Sequence, residues 1–105
     1  MKLKYKIWFE IDGEPVITKL KYELLKNIEK TKSIKKASEL LNISYKKALE
    51  HIKAMEKRLG KKIVVRERGK GAYLTKEGKK LMEMYERAKK EFEKTARLIE
   101  EKEGI

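Results

Sequence analysis

Cysteine is absent from this 105-residue chain, which excludes a disulfide framework and any thiolate metal site. Histidine occurs once, as His51, with no second imidazole for a metal and no nucleophile at a catalytic spacing. It reads as an ordinary surface or rim residue. Aspartate also occurs once, as Asp12, in what reads as a turn. No Ser/His/Asp, Cys/His or paired-carboxylate set can be assembled, so no enzymatic activity is expected, and no cofactor, metal or small-molecule site. The glycines of Gly69-Lys70-Gly71 are too few for a phosphate-binding loop and are not followed directly by a helix. No apolar run approaches the ~20 residues needed to span a bilayer. The first lysines alternate with apolar residues, unlike the continuous apolar core of a signal peptide. A soluble, cytoplasmic, nucleoid-associated protein is expected. Glutamine is missing and lysine and glutamate dominate, a bias that suits a heat-adapted organism.

Charge is what the chain has in excess. Lys and Arg total 29 against 17 acids, a net charge of +12, which favours a polyanionic partner. The excess is unevenly placed. Residues 1–17 hold three cations and three anions, residues 18–80 hold 20 against 7, and residues 81–105 hold 6 against 7. A chain of this length forms one domain, or one domain with an extended helix, and its core is modest.

Residues 2–11 alternate almost strictly, with Leu3, Tyr5, Ile7, Phe9 and Ile11 on one face. This pattern predicts a half-buried strand. Asp12-Gly13 is a hairpin signal, and residues 15–17 make a short return strand that Pro15 confines to an edge. Thr18 caps a helix whose stripe is Leu20, Leu24, Leu25 and Ile28.

The stretch SIKKASELLNISYKKALEHIKAMEKRLG, residues 33–60, carries most of the information. Ser33 caps a short helix with Ile34, Ala37 and Leu40/Leu41 in one stripe. Asn42 stops it, and Ser44 caps a second helix with Ala48, Ile52, Met55 and Leu59 on one side, ending at Gly60. Two helices joined by a tight turn predict a helix-turn-helix, whose second helix enters a DNA major groove. Lys46, Lys47, Lys53, Lys57 and Arg58 supply much of its outer surface. Residues 62–66 and 72–74 read as a hairpin with Arg68-Gly69-Lys70-Gly71 at its tip, which is a wing. Thr75 then caps a long helix reaching about residue 101. Its apolar positions, Leu81, Tyr85, Ala88, Phe92, Thr95/Ala96 and Ile99, alternate spacings of four and three, a heptad seam. A helix of roughly 25 residues spans about 37 Å, beyond the reach of so small a domain, so a homodimer is expected.

The fold class is therefore α+β and mostly helical: a winged helix-turn-helix with an N-terminal β-hairpin and a long C-terminal dimerisation helix. Residues 1–75 form the DNA-binding domain and residues 76–105 the dimerisation helix.

Read together, the motifs resemble the DNA-binding domain of the ModE-type, molybdate-responsive regulators, which is similar to the winged helix of LysR-type regulators. The resemblance rests on Ser33-Ile34, on Ile43-Ser44-Tyr45-Lys46, on Met55-Glu56 and Leu59-Gly60, and on Leu74-Thr75 with Gly78. Trp8 to Gly13 followed by Leu24-Leu25 and Ile28 also looks like the family's lead-in. It covers roughly residues 6–85. The wing here has fewer glycines than the family's, and Leu49 stands where an aromatic residue is frequent. Full-length members continue into a small β-barrel that binds the oxyanion. Nothing in these residues resembles it, so molybdate sensing is not carried over.

The expected function is a sequence-specific transcription regulator binding double-stranded DNA. Tyr45, Lys46, Glu50 and Lys53 are placed to read base edges. Ser44, Lys35, Lys36, Lys47, Arg66, Arg68 and Lys70 are placed to contact phosphates, and Ser33 also belongs to the DNA-binding set. Leu24, Leu25, Leu81, Tyr85, Ala88, Phe92 and Ile99 are the candidate dimer interface. Two rivals use the same fold: an architectural nucleoid-associated protein with little sequence preference, and a protein-interaction module for which Trp8, on the polar face of the first strand, is the best support.

Overall fold

Four side-chain caps fix where the helices begin. In the computed structural model, which describes residues 1–104, the hydroxyls of Thr18, Ser33, Ser44 and Thr75 accept from the backbone N–H of Lys21, Lys36, Lys47 and Gly78 at 3.3, 3.0, 3.0 and 3.0 Å. Each satisfies one orphan donor of a first turn. The element order is β1 (Phe9–Ile11), β2 (Glu14–Ile17), α1 (Lys19–Thr31), α2 (Ile34–Leu40), α3 (Tyr45–Leu59), β3 (Val64–Glu67), β4 (Gly71–Leu74) and α4 (Lys76–Glu103). This is the winged helix-turn-helix with a leading hairpin and a long last helix that the sequence predicts.

The stops are equally local. Lys32 and Gly60 close α1 and α3 in the left-handed region, at φ 60° and 66°. Asn42, at φ 57°, turns the chain between α2 and α3. Asn is among the few non-glycine residues that tolerate this region. Asp12 and Gly13, at φ 50° and 79°, form the two-residue turn of the β1–β2 hairpin, with Ile11 opposite Glu14.

Ile17, Leu24, Leu25, Ile28, Met55 and Ile63 are fully buried. They join α1, α3, the hairpin and the base of the wing in one core. Truncating any of the larger ones costs about 2–5 kcal/mol. This corrects the expectation for Leu24 and Leu25. Both are at 0% exposure inside the protomer, so neither presents a surface to a partner. Leu81 and Tyr85 are also buried in this core. The first turns of α4 pack on α1 and β4, and Gly78 allows it: a Cβ there would lie 2.3 Å from the Ile63 carbonyl oxygen.

The N-terminal segment departs from the strand expected over residues 2–11. Only Phe9–Ile11 pairs, because β2 is four residues long and includes Pro15, which has no N–H. Residues 2–8 have no partner strand. They lie against α4 from Tyr85 to Glu100 instead. Leu3 N–H donates to Glu100 Oε2 at 2.7 Å, the Tyr5 and Phe92 rings are 6.2 Å apart, and Tyr85 Oη donates to the Ile7 carbonyl at 3.2 Å. The chain's own arm thus covers Ala96 and part of the seam assigned to a partner. Ala88 is half-buried, whereas Phe92, Leu98 and Ile99 stay exposed. At 28 residues α4 gives the molecule its length, 54 × 30 × 22 Å.

A linked cluster fixes α4 on α1. Tyr22, buried, stacks on Tyr85 with centroids 5.0 Å apart, and its hydroxyl donates to Glu86. Lys26 lies 3.6 Å from the same carboxylate. Burial and then the Glu86 bond push the Tyr22 hydroxyl well above its ordinary pKa. The Tyr22 bond, opposed by burial and helped by Lys90 and Lys26, holds Glu86 below the usual carboxylate range.

Candidate nucleic-acid interface

The buried stripe of α3, Ala48, Ile52 and Met55, turns the opposite side of the helix outward. Lys46, Glu50, Lys53 and Lys57 follow one another at spacings of four, three and four on that outer side, and all four are exposed. No acid stands in the first turn of α3, so its positive N-terminal dipole adds to the charge of Lys46 and Lys47. Lys47 pairs with Glu50 at 3.6 Å on the open surface, a contact worth little in water.

The wing is held beside this face by a backbone contact. Ala72 N–H donates to the Lys32 carbonyl at 2.9 Å. Gly71 permits the approach, since a Cβ on it would lie 2.4 Å from that oxygen, and its φ of +80° also favours glycine. Strand alternation then sorts the wing's side chains. Val64, Ala72 and Leu74 point into the core, and Arg66 shares their side at the outer end. Glu67 turns the other way, where Tyr73 donates to it and Lys70 lies 3.4 Å from it.

Between the start of α2, the start of α3 and the wing lies a cleft of about 480 Å³, lined by Ser33, Lys35, Tyr45, Arg66 and Arg68 among others. Lys53 and Arg66 line an adjoining hollow. The structure therefore gathers six of the twelve residues expected to meet DNA around two neighbouring depressions. Lys36, Ser44, Lys46, Lys47, Glu50 and Lys70 stand outside them, on the same helices and the wing tip. Eleven of the twelve are exposed and Ser33 is half-buried, so every one is open to a partner.

Residues 21–79 match the model of the bacterial regulatory helix-turn-helix proteins of the lysR family. The chain belongs to that family. Among solved structures it is similar to DarR of Vibrio fischeri, crystallised in complex with DNA, at a TM-score of 0.65 and 22% identity, over 81% of this chain and 29% of that one. It is also similar to ArgP of Mycobacterium tuberculosis, at 0.59 and 25%, over 79% and 30%. The chain thus spans about 30% of the length of these structures. The curated proteins include no match.

Within the lysR-family domain two cations have duties the sequence did not reveal. Arg58, grouped with the outer lysines of the second helix, donates from Nη1 to the Pro15 carbonyl at 2.6 Å and from Nη2 to Glu14 at 3.3 Å. It ties the hairpin to α3 and does not belong to the outer face. Lys32 supplies the carbonyl on which the wing sits. Neither contact has a local signal, because the partners are 43 and 40 residues away. His51 is half-buried at the edge of α3. Burial first, then Lys21 and Lys47, lower its pKa against the opposing pull of Glu50. Trp8 is 49% exposed, and its indole N–H donates to Glu10 at 3.0 Å. Among the described residues no group of His, Cys, Asp and Glu is placed to hold a metal. No helix there is long and apolar enough to cross a membrane.

Proposed function

We propose that this chain binds double-stranded DNA as a homodimeric transcription regulator, with α3 in the major groove and the wing on the flanking backbone. The observation that carries this is the exposed Lys46, Lys53, Arg66 and Arg68 set on one side of a helix-turn-helix whose opposite side is core. The lysR-family match and the likeness to DarR, a protein crystallised on DNA, support it. The motif set from Ser33 to Gly78 further supports a ModE-type affiliation within the family.

Dimerisation rests on what α4 leaves uncovered. Phe92 and Ile99, with Leu3 and Tyr5 beside them, form an exposed apolar strip on the electrically balanced part of the chain. A second copy removes it from water, and two-fold symmetry sets the recognition helices roughly 34 Å apart or a multiple of that.

Selection of bound duplexes from a random pool tests the reading. An enriched palindrome is the expected result. Uniform binding without enrichment instead supports the architectural alternative, which the net charge of +12 also favours. No retention of DNA turns attention to the exposed Trp8 and to a protein partner.

A further inference from the structure

Arg66 and Arg68 are two residues apart on the wing, yet only Arg66 reaches α3. Its Nη1 donates to the Tyr45 hydroxyl at 2.6 Å. Tyr45, the first residue of α3 beside the cap Ser44, is 41% exposed. Three features hold the pair in place. The wing is seated on Lys32 through Gly71 and Ala72. Glu67, the nearest wing carboxylate in sequence, is already taken by Tyr73 and Lys70, and so does not draw Arg66 away. Tyr45 cannot slide along the helix, because the Ser44 cap fixes the first turn.

The chemistry of the pair is directional. A guanidinium only donates, so the Tyr45 oxygen must accept from it. The hydroxyl proton is then left for another acceptor, and among the described residues the Arg66 bond is the only hydrogen bond of that hydroxyl. The remaining N–H groups of Arg66 stay free for phosphate oxygens.

We infer that Arg66 is a positioning residue for Tyr45: it presents the tyrosine hydroxyl as a hydrogen-bond donor to an acceptor atom of DNA, and so joins the wing and the recognition helix into one reading unit. This rests on the DNA-binding reading and goes beyond it, since an arginine on a wing otherwise serves as an independent backbone contact. The acceptor is a purine or thymine edge in the major groove or a phosphate oxygen.

A double-mutant cycle with Tyr45→Phe and Arg66→Met tests the pairing. Binding is measured on a duplex selected by the wild-type protein and on a scrambled duplex, each across a salt series. Both side chains are exposed, so unfolding midpoints should stay near wild type. The expected result is coupling: Arg66→Met costs about tenfold more affinity in the wild-type background than in the Tyr45→Phe background. A coupling confined to the selected duplex identifies a base acceptor, and one equal on both duplexes identifies a phosphate. Equal losses in the two backgrounds, with only a reduced salt slope, overturn the proposal and leave Arg66 a plain phosphate contact. A wild-type protein that binds neither duplex fails at the DNA-binding reading itself, and the positioning role falls with it.

Discussion

Replacing Gly71 by alanine isolates the contact that seats the wing. Two costs add. Gly71 has φ +80°, and an L-residue in the left-handed region pays about 1–2 kcal/mol. The new Cβ would also lie 2.4 Å from the Lys32 carbonyl oxygen and 3.5 Å from its carbon. The wing must lift, and the bond from Ala72 N–H to that oxygen is lost or stretched, at about 1 kcal/mol. The total is about 2–3 kcal/mol, or on the order of 10–20 °C in melting temperature for a chain of this size. Gly69 supplies the control. Its φ is +84°, and nothing lies within 4 Å of a Cβ placed there, so Gly69→Ala pays the backbone cost alone. Denaturant titration of both variants, read by circular dichroism, gives the difference that belongs to the Lys32 contact. DNA affinity should fall for Gly71→Ala more than for Gly69→Ala, because only the first moves Arg66 relative to α3. Equal destabilisation by the two substitutions would refute the seating of the wing.

Phe92→Asp places a charge on the exposed strip of α4; sedimentation should show a monomer that keeps its fold and binds a palindromic site far more weakly, and an unchanged dimer would remove α4 as the interface. Lys70→Ala, at the wing tip, should weaken all duplexes similarly, whereas Lys46→Ala should reduce the preference for the selected duplex; identical behaviour would contradict the division between backbone and base contacts. His51 has a lowered folded-state pKa, so folding favours its neutral form. Its contribution is intact above the unfolded value near 6.5 and is lost as pH falls below it. His51→Gln should therefore lose less stability than wild type between pH 7.5 and 5.5, as measured by urea titration, and parallel losses would show that His51 is not the group responsible.

Much of the architecture is written in short-range chemistry. Thr18, Ser33, Ser44 and Thr75 each precede an apolar period of about 3.6, and Asp12-Gly13, Asn42 and Gly60 sit where positive φ is needed. These signals depend on neighbours within four residues, so they are legible without a fold. The arm was misread for the opposite reason. Alternation over residues 2–11 shows that one face is apolar, but not whether a strand exists to pair with or a helix to lie on. The same limit applies to Leu24, Leu25, Leu81 and Tyr85: a stripe reveals that something covers it, and their own core does. At the proposed DNA face the exposed lysines were legible because they oppose the apolar stripe of α3. The Tyr45–Arg66 bond was not, since it spans 21 residues and depends on a backbone contact between Lys32 and the wing.

We propose α3 and the wing as one electrostatic and reading surface for DNA. The most direct measurement is the affinity of the wild-type protein for a selected duplex as a function of salt. On the proposed homodimer, Lys35, Lys36, Lys47, Arg68 and Lys70 of each copy would meet phosphates, so the logarithm of the binding constant should fall with the logarithm of salt at about −0.9 per phosphate contacted, a slope of several units. A scrambled duplex should show a similar slope and a weaker constant. A nearly flat dependence on salt would rule out α3 and the wing as a phosphate-binding surface.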